Sequence, residues 1–161
     1  MDTISEFYSP LAESYDQMLS FDHRLDSARR FVAALRERIG GFSTAADFAC
    51  GTGVYAMALA EQAERVFGSD LSSAMIEQAR TNGAQRGLEI EWLVKPMQEP
   101  LAEEPLDLAL CMGNSLPHLL ETDDLKQALQ NFFATLKSGG SLVLHLLNYC
   151  RILQRRERII G

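Results

Sequence analysis

From Asp22 to Ile39 the apolar residues Leu25, Ala28, Val32, Leu35 and Ile39 recur at steps of three and four, which places them on one face of an α-helix. Gly40-Gly41 ends that helix, because glycine enters the left-handed turn that closes a helix without a β-carbon penalty. After it the period changes. Short apolar runs at Ala45–Cys50, Val66–Asp70, Glu89–Val94, Leu106–Cys111 and Ser141–Leu147 predict strands. Between them, helical spacing covers Val54 to about Ala63, Ser73–Arg86 and Asp123–Lys137, and Pro96, Pro100 and Pro105 mark a loop before the fourth strand. Strands alternating with helices predict parallel strands joined by right-handed crossovers. The expected fold is therefore α/β: a doubly wound, mainly parallel sheet with helices on both faces, which takes its ligands outside the carboxyl ends of the strands.

Local signals refine the boundaries. Ser72 is placed to accept a hydrogen bond from an unpaired amide at the start of its helix, and Thr122, with Asp123 and Asp124, to cap and charge the positive end of the next. There Leu125, Leu129, Phe132, Phe133 and Leu136 read as one apolar stripe, Gly139-Gly140 as the stop, and Leu142-Val143-Leu144 as a strand buried on both faces. No repeat, low-complexity tract or linker interrupts the pattern, so residues 1–161 read as one domain: a helical N-terminal cap (1–42), the sheet core (43–150) and the start of a C-terminal part (151–161).

The 161 residues, 47% apolar and 23% charged, suffice for one core. A formal charge of −7 supplies no basic stripe to neutralise phosphates, which argues against nucleic acid and for a small-molecule partner. No apolar run nears the roughly 20 residues of a membrane span. The N-terminus, with Asp2 and Glu6, lacks the basic start of a secretion signal. The expectation is a cytoplasmic protein with no membrane partner. Cys50, Cys111 and Cys150 form no close pair, as for reduced thiols. All three end predicted strands, so a metal site with His118 or His145 stands as an alternative. The local ligand-pair spacing of zinc sites is absent, and the plainer reading is small, half-apolar residues beside a pocket.

Candidate chemistry concentrates in Asp47-Phe48-Ala49-Cys50-Gly51-Thr52-Gly53. Gly51 and Gly53 allow a sharp strand-to-helix turn and bring bare backbone up to a ligand, where a Cβ would intrude. Asp70, closing the next apolar run about 20 residues on, offers a carboxylate to the two hydroxyls of a ribose. Alternatively the glycines serve only a tight turn, and Asp70 is a helix cap or a solvated acid. Gly51-Thr52-Gly53-Val54-Tyr55-Ala56 also fits the dinucleotide fingerprint, whose last position can be alanine. Asp47 discriminates. Its carboxylate is awkward beside a pyrophosphate and comfortable beside a cation. S-adenosylmethionine carries a sulfonium and an ammonium but no phosphate, so the acidic turn favours it over NAD.

With these residues in place the chain resembles class I S-adenosylmethionine-dependent methyltransferases over essentially its whole length. The likeness runs through the glycine turn, Ser69-Asp70-Leu71-Ser72 with Met75, Leu106-Asp107-Leu108-Ala109-Leu110 and Leu136-Lys137-Ser138-Gly139-Gly140. Ala49-Cys50-Gly51-Thr52-Gly53-Val54, Cys111-Met112-Gly113-Asn114-Ser115-Leu116-Pro117-His118-Leu119 and Asn148-Tyr149-Cys150-Arg151-Ile152-Leu153 are similar to the glycine/sarcosine N-methyltransferase branch. The resemblance implies a Rossmann-like core, S-adenosylmethionine as cofactor, and in-line methyl transfer to a small-molecule acceptor, an amine above all. It implies that Gly51 and Gly53 face the methionine part of the cofactor, Asp70 the ribose and Leu71 the adenine ring. Asp47, Ala49, Cys50, Met75 and Met112 complete the implied set. Met97 and Gln98 occupy the loop of the adenine-edge contacts. Many members carry an Asp there, whereas this loop reads Lys95-Pro96-Met97-Gln98, so a backbone or Gln98 contact replaces it.

Asn114 falls nearest the transferred methyl by the same resemblance, or else is a turn residue after Gly113. Phe7 to Asp16 resembles the segment that folds over the cofactor. Tyr15 is its candidate catalytic contact, paired with Asn114, and Tyr8 a lesser one; helix-core packing accounts equally for both. His118 also resembles a family position and reads as a packed or capping residue, or else as a base; His145 reads as a core histidine.

Two features depart from the branch. Its glycine-using members carry an Arg before the Asn-Tyr pair to hold the substrate carboxylate, and here that position is Leu147, which argues against glycine. Such enzymes also continue past the fifth strand to a hairpin that completes seven strands, so the expected sheet lacks the last two. The fifth strand is then an exposed edge, in a shortened chain or in a homo-oligomer that covers it. A non-catalytic cofactor-binding domain and a nicotinamide-dependent oxidoreductase are the rival readings.

Overall fold

In the computed structural model, which describes residues 20–155, helices and strands alternate as the periodicity predicts. Helix α1 (Phe21–Ile39) leads into strand β1 (Thr44–Phe48), followed by α2 (Val54–Ala60), β2 (Arg65–Asp70), α3 (Ser73–Ala84) and β3 (Glu91–Val94). Then come β4 (Leu106–Cys111), a 3-10 turn (Leu116–His118), α4 (Thr122–Thr135), β5 (Leu136–Leu144) and α5 (Tyr149–Arg155). Among the described residues the strands form one parallel sheet in the order β3-β2-β1-β4-β5. The order reverses between β1 and β4, and a crevice for ligands opens at the carboxyl side of such a switch point.

Successive side chains of a strand face opposite ways, and the core divides accordingly. Ala45, Val66, Leu108 and Leu110 meet Leu25, Ala28 and Val32 of α1 and the buried residues of α2 on one face. Ala46, Phe48, Phe67 and Ala109 meet Ala128 and Phe132 of α4 on the other. Helix α1 is thus a core layer; it closes at Gly40 (φ 82°), whose amide donates to Arg36 O. Asp107 of β4 ties the start of β1, accepting from the amides of Ser43 (2.7 Å) and Thr44 (2.9 Å). Its partner Lys137 holds its carboxyl well below the usual carboxylate range.

The C-terminal half departs from the sequence reading. Helix α4 stops at Thr135 and β5 begins at once, so Gly139 and Gly140 lie inside the strand rather than ending a helix, and the strand stops at Leu144, short of Leu147. A Cβ on Gly140 would lie 3.0–3.2 Å from the carbonyl oxygens of Lys137, Leu106 and Asp107, where the β4–β5 register shifts. The buried face of α4 is Ala128, Asn131, Phe132 and Thr135. The expected stripe is broken, with Phe133 84% and Leu129 39% exposed. The helix is turned to seat Phe132 on Phe48, ring centroids 4.7 Å apart, and to bring Asn131 under the loop after β3. Thr122 is not the cap: Glu121 precedes the first turn without a side-chain cap bond, while Asp123 and Asp124 supply the negative charge. Leu142 is 37% exposed, so β5 is not buried on both faces, and among the described residues its one neighbour is β4. His145 lies past the strand end and is exposed, not a core residue.

No helix among the described residues is long and apolar enough to cross a membrane. Nor does any group of three His, Cys, Asp or Glu among them come together to hold a metal ion; Cys50 is half-buried, Cys111 buried and Cys150 exposed.

Candidate functional site

The chain leaves β1 through a turn whose alternate residues enter the left-handed region: Ala49 (φ 54°), Gly51 (φ 55°) and Gly53 (φ 91°). That conformation is uncommon for a residue with a Cβ, and at Ala49 it is secured by the next amide, Cys50 N, donating to Ser69 O at 2.8 Å. Gly51 N donates to Asp70 Oδ2 and Ser72 N to Asp70 Oδ1, both at 2.9 Å, so one carboxylate straddles the ends of β1 and β2. Each carboxylate oxygen has further acceptor capacity, which a ribose diol requires. Burial pushes the Asp70 carboxyl up, and the amides of Ser72, Gly51 and Leu71 oppose the shift. Ser72 caps α3 as its type predicts, accepting from Met75 N at 3.3 Å.

The two glycines do different jobs. Among the described residues, a Cβ on Gly51 would meet nothing within 4 Å. A Cβ on Gly53 would lie 2.5 Å from Trp92 Cη2, 3.0 Å from Met57 Cε and 3.1 Å from Ala79 Cβ. Gly68 is under the same ring, with Trp92 Cζ3 at 2.5 Å from its would-be Cβ. Gly53 is therefore glycine because the indole of Trp92 packs against it. The turn is braced from outside by Arg24, which donates to Thr52 Oγ1 (3.1 Å), and by buried Asn82, which donates to Thr52 O (3.2 Å). Neither residue stands out in the sequence, since a polar residue within a helical pattern reads as solvent-facing.

Asp47 lies beneath the turn, 1% exposed, its Oδ2 accepting from Ala56 N in the first turn of α2 at 3.1 Å. Burial pushes its carboxyl up to about 8, against the Ala56 bond and with a further upward push from the Asp70 charge. The Cys50 thiol is raised well above its usual value by burial, then by Asp47 and Asp70. The Asp47 carboxyl therefore keeps its proton near neutral pH, and a cation placed above the turn would favour its ionised form.

The other anticipated residues divide. Leu71 is exposed beside Asp70, and Gln98 is half-buried in the turn after β3. The three methionines serve packing: Met75 is buried in the first turn of α3, Met112 belongs to the first core and Met97 packs against the second. Asn114 (φ 63°) is a turn residue whose side-chain amide makes two bonds, Nδ2 donating to Tyr149 Oη (2.6 Å) and Oδ1 accepting from Leu147 N (3.0 Å), with one N–H and one lone pair beyond them. It fastens the end of β4 to the segment after β5. His118 ends the 3-10 turn and is exposed. The Ser69 hydroxyl, one residue before Asp70, is buried with no hydrogen-bond partner among the described residues. Tyr8 and Tyr15 lie outside the described residues.

Residues 45–140 match the family model described as a methyltransferase domain. The chain belongs to this family. The methyltransferase domain is similar to the glycine/sarcosine N-methyltransferase of Halorhodospira halochloris, 29% identical over 156 residues that cover 92% of this chain and 56% of the relative. The enzyme of the same name from Aphanothece halophytica is 28% identical over 152 residues, covering 92% and 57%. The chain thus spans about half the length of these curated relatives. Among solved structures, an S-adenosylmethionine-dependent methyltransferase from Clostridium acetobutylicum has the same fold at a TM-score of 0.78, with 23% identity over 92% of this chain and 61% of that one. The sugar N-methyltransferase KedS8 from Streptoalloteichus aligns at a TM-score of 0.64 with 26% identity, covering 91% and 54%. The Rossmann-like reading of the sheet holds.

Proposed function

We propose that this methyltransferase domain binds S-adenosylmethionine at the carboxyl ends of β1, β2 and β3 and serves methyl transfer to a small-molecule amine. The observation that carries the reading is the Asp70 carboxylate, held by the Gly51 and Ser72 amides beside a Gly51 whose Cβ position meets no described residue, with Asp47 buried beneath. The residues fit the cofactor: Asp70 takes the ribose hydroxyls, Leu71 the adenine face, and Met97 and Gln98 its edge. The Ala49–Gly53 backbone meets the methionine part, whose ammonium and sulfonium Asp47 favours. Asp47 separates the cofactor from NAD by its response: its carboxyl is pushed up to about 8, and a cation above the turn favours its ionised form whereas a pyrophosphate favours the protonated one.

The cofactor supplies a methyl group on a sulfonium, whose departure as a neutral thioether calls for little acid or base. The protein's part is alignment and exclusion of water. Asn114 contributes as a positioning residue, holding Leu147 N and the Tyr149 hydroxyl at the end of β4. Leu147 offers no charge to an acceptor carboxylate, so the reading favours amines other than glycine. A reducing, cytoplasmic setting suits the free thiols.

Replacing Asp70 with alanine is expected to weaken binding of S-adenosylhomocysteine by calorimetry on the order of tenfold or more, since a hydrogen bond to a charged group is worth about 1.5–3 kcal/mol. Unchanged affinity removes Asp70 from the site. Formation of S-adenosylhomocysteine with pooled amines, and not with pooled hydroxyl compounds, separates an N-methyltransferase from its rivals; binding without turnover identifies a non-catalytic domain.

The β5 edge supports a second proposal, that two copies of the chain pair along it. The strand has one neighbour among the described residues and leaves Leu142 exposed, the condition under which edges recruit other strands. Light scattering of the 161-residue chain is expected to give twice the monomer mass, and Leu142→Lys to return it to monomer. A monomer across the accessible concentration range contradicts the pairing.

A further inference from the structure

The loop after β3 is fixed from two sides. Glu99 N donates to Pro96 O (3.1 Å), closing a turn with Met97 and Gln98 at its tip, and Lys95 N donates to Asp70 O (3.1 Å), which makes the loop continuous with the end of β2. Lys95 Nζ reaches across the mouth of the loop to Pro100 O at 2.9 Å. From below, Asn131 of α4, 9% exposed, uses its side-chain nitrogen twice, donating to Met97 O (2.9 Å) and Glu99 O (2.8 Å).

These bonds leave a definite pattern at the tip. The carbonyls of Pro96, Met97, Glu99 and Pro100 are engaged by the protein, whereas the Met97 amide and the Gln98 side chain make no hydrogen bond among the described residues. A main-chain donor beside a side-chain acceptor complements the edge of adenine, where a ring nitrogen accepts and the exocyclic amino group donates. In hypoxanthine the amino group is a carbonyl and the ring nitrogen carries hydrogen. A glutamine amide can rotate to suit either edge; a main-chain N–H cannot reverse, so discrimination depends on holding the backbone still.

We propose that Asn131 is a positioning residue that sets the base specificity of the cofactor site: by gripping the carbonyls of Met97 and Glu99 it keeps the Met97 amide and the Gln98 side chain aligned for an adenine edge. The inference rests on the adenosyl-cofactor reading given above. Helix α4 accordingly does more than cover the sheet. Its buried polar residue extends the site to a part of the chain that touches no ligand.

The test is a ratio of affinities, measured by equilibrium titration of the 161-residue chain with S-adenosylhomocysteine and with S-inosylhomocysteine. The intact chain is expected to prefer the adenosyl ligand on the order of tenfold or more, because the inosyl edge leaves a donor facing a donor. Asn131→Ala is expected to cut that preference to about threefold or less, as a loosened turn adapts to both bases. Lys95→Met, which frees the opposite side of the loop without opening the core, moves the ratio the same way and decides the matter should Asn131→Ala not fold. If the deciding variant loses affinity for both ligands by one factor with its preference intact, Asn131 is only a structural residue and the proposal falls. Equal binding of both ligands by the intact chain also overturns it, while leaving the adenosyl cofactor in place; binding of neither overturns both readings.

Discussion

Gly53→Ala is expected to lower the unfolding free energy on the order of 3 kcal/mol or more. Two costs combine: overpacking of a filled core, about 1–3 kcal/mol, and a left-handed backbone imposed on a residue with a Cβ, about 1–2 kcal/mol. The new methyl would stand 2.5 Å from the Trp92 ring and 3.0–3.1 Å from Met57 and Ala79, and φ is 91°. Against a total stability of roughly 5–15 kcal/mol for a domain, that is a large fraction. Urea unfolding of Gly53→Ala, Trp92→Leu and the double variant isolates the clash. The smaller side chain makes room, so the double variant should lose clearly less than the two single losses added together. Strict additivity would show that the ring is not what Gly53 accommodates.

Asp47→Asn is expected to stabilise the protein at neutral and mildly alkaline pH while weakening cofactor binding. Burial raises the folded carboxyl from its ordinary 3.8 to about 8. Between those values the folded chain keeps the proton and the unfolded chain releases it. This group's contribution to stability is therefore undiminished below about pH 4, falls by at most about 1.4 kcal/mol per pH unit as pH rises, and levels off above pH 8. Asparagine keeps an acceptor for Ala56 N and does not titrate, so the variant should gain most near pH 8 and nothing at pH 4. The Cys50 thiol and the Tyr55 hydroxyl are raised above their ordinary values and titrate above this window, whereas the repulsion between Asp70 and an ionised Asp47 is lost in the variant and belongs to the expected gain. Denaturation midpoints that differ equally at pH 4 and pH 8 would remove Asp47 as the source. A cation bound above the turn draws the proton off Asp47, so uptake of S-adenosylmethionine at pH 7 should release protons, read as a binding enthalpy that varies with the ionisation enthalpy of the buffer. That release should vanish in the variant.

Much of the fold is legible in the sequence where one signal has one meaning. Strand β4 runs from Leu106 to Cys111 as its apolar run predicts, Ser72 caps its helix, and Asp70 stands where the second strand ends. The sequence is less legible where two demands share a residue. On α4 the apolar spacing favours Leu129 and Phe133, but the helix must also bury Asn131 to satisfy two carbonyls of a loop distant in sequence, and that rotation sends Phe133 to the surface. Gly53 reads as room for a ligand because its pattern is that of the turn; its neighbour across space is a tryptophan 39 positions later, which no local window contains. The methionines Met75, Met97 and Met112 lie at site-like positions in sequence, and no local pattern shows that Met75 and Met112 are also buried and that Met97 packs, half-buried, against the second core. Asn114 reads as a residue for the acceptor, and the partners that occupy its amide, Leu147 and Tyr149, belong to the far side of β5.

Trp92, the chain's one tryptophan, lies against Gly53 of the glycine turn, Gly68 of β2 and Gly83 of α3. The molecule thus carries its single tryptophan, the one side chain that can be excited apart from the four tyrosines, wedged under the turn it would need to report on. Its emission should register ordering of that turn by a ligand with no added label, and separate closure of the site from global unfolding in one optical channel.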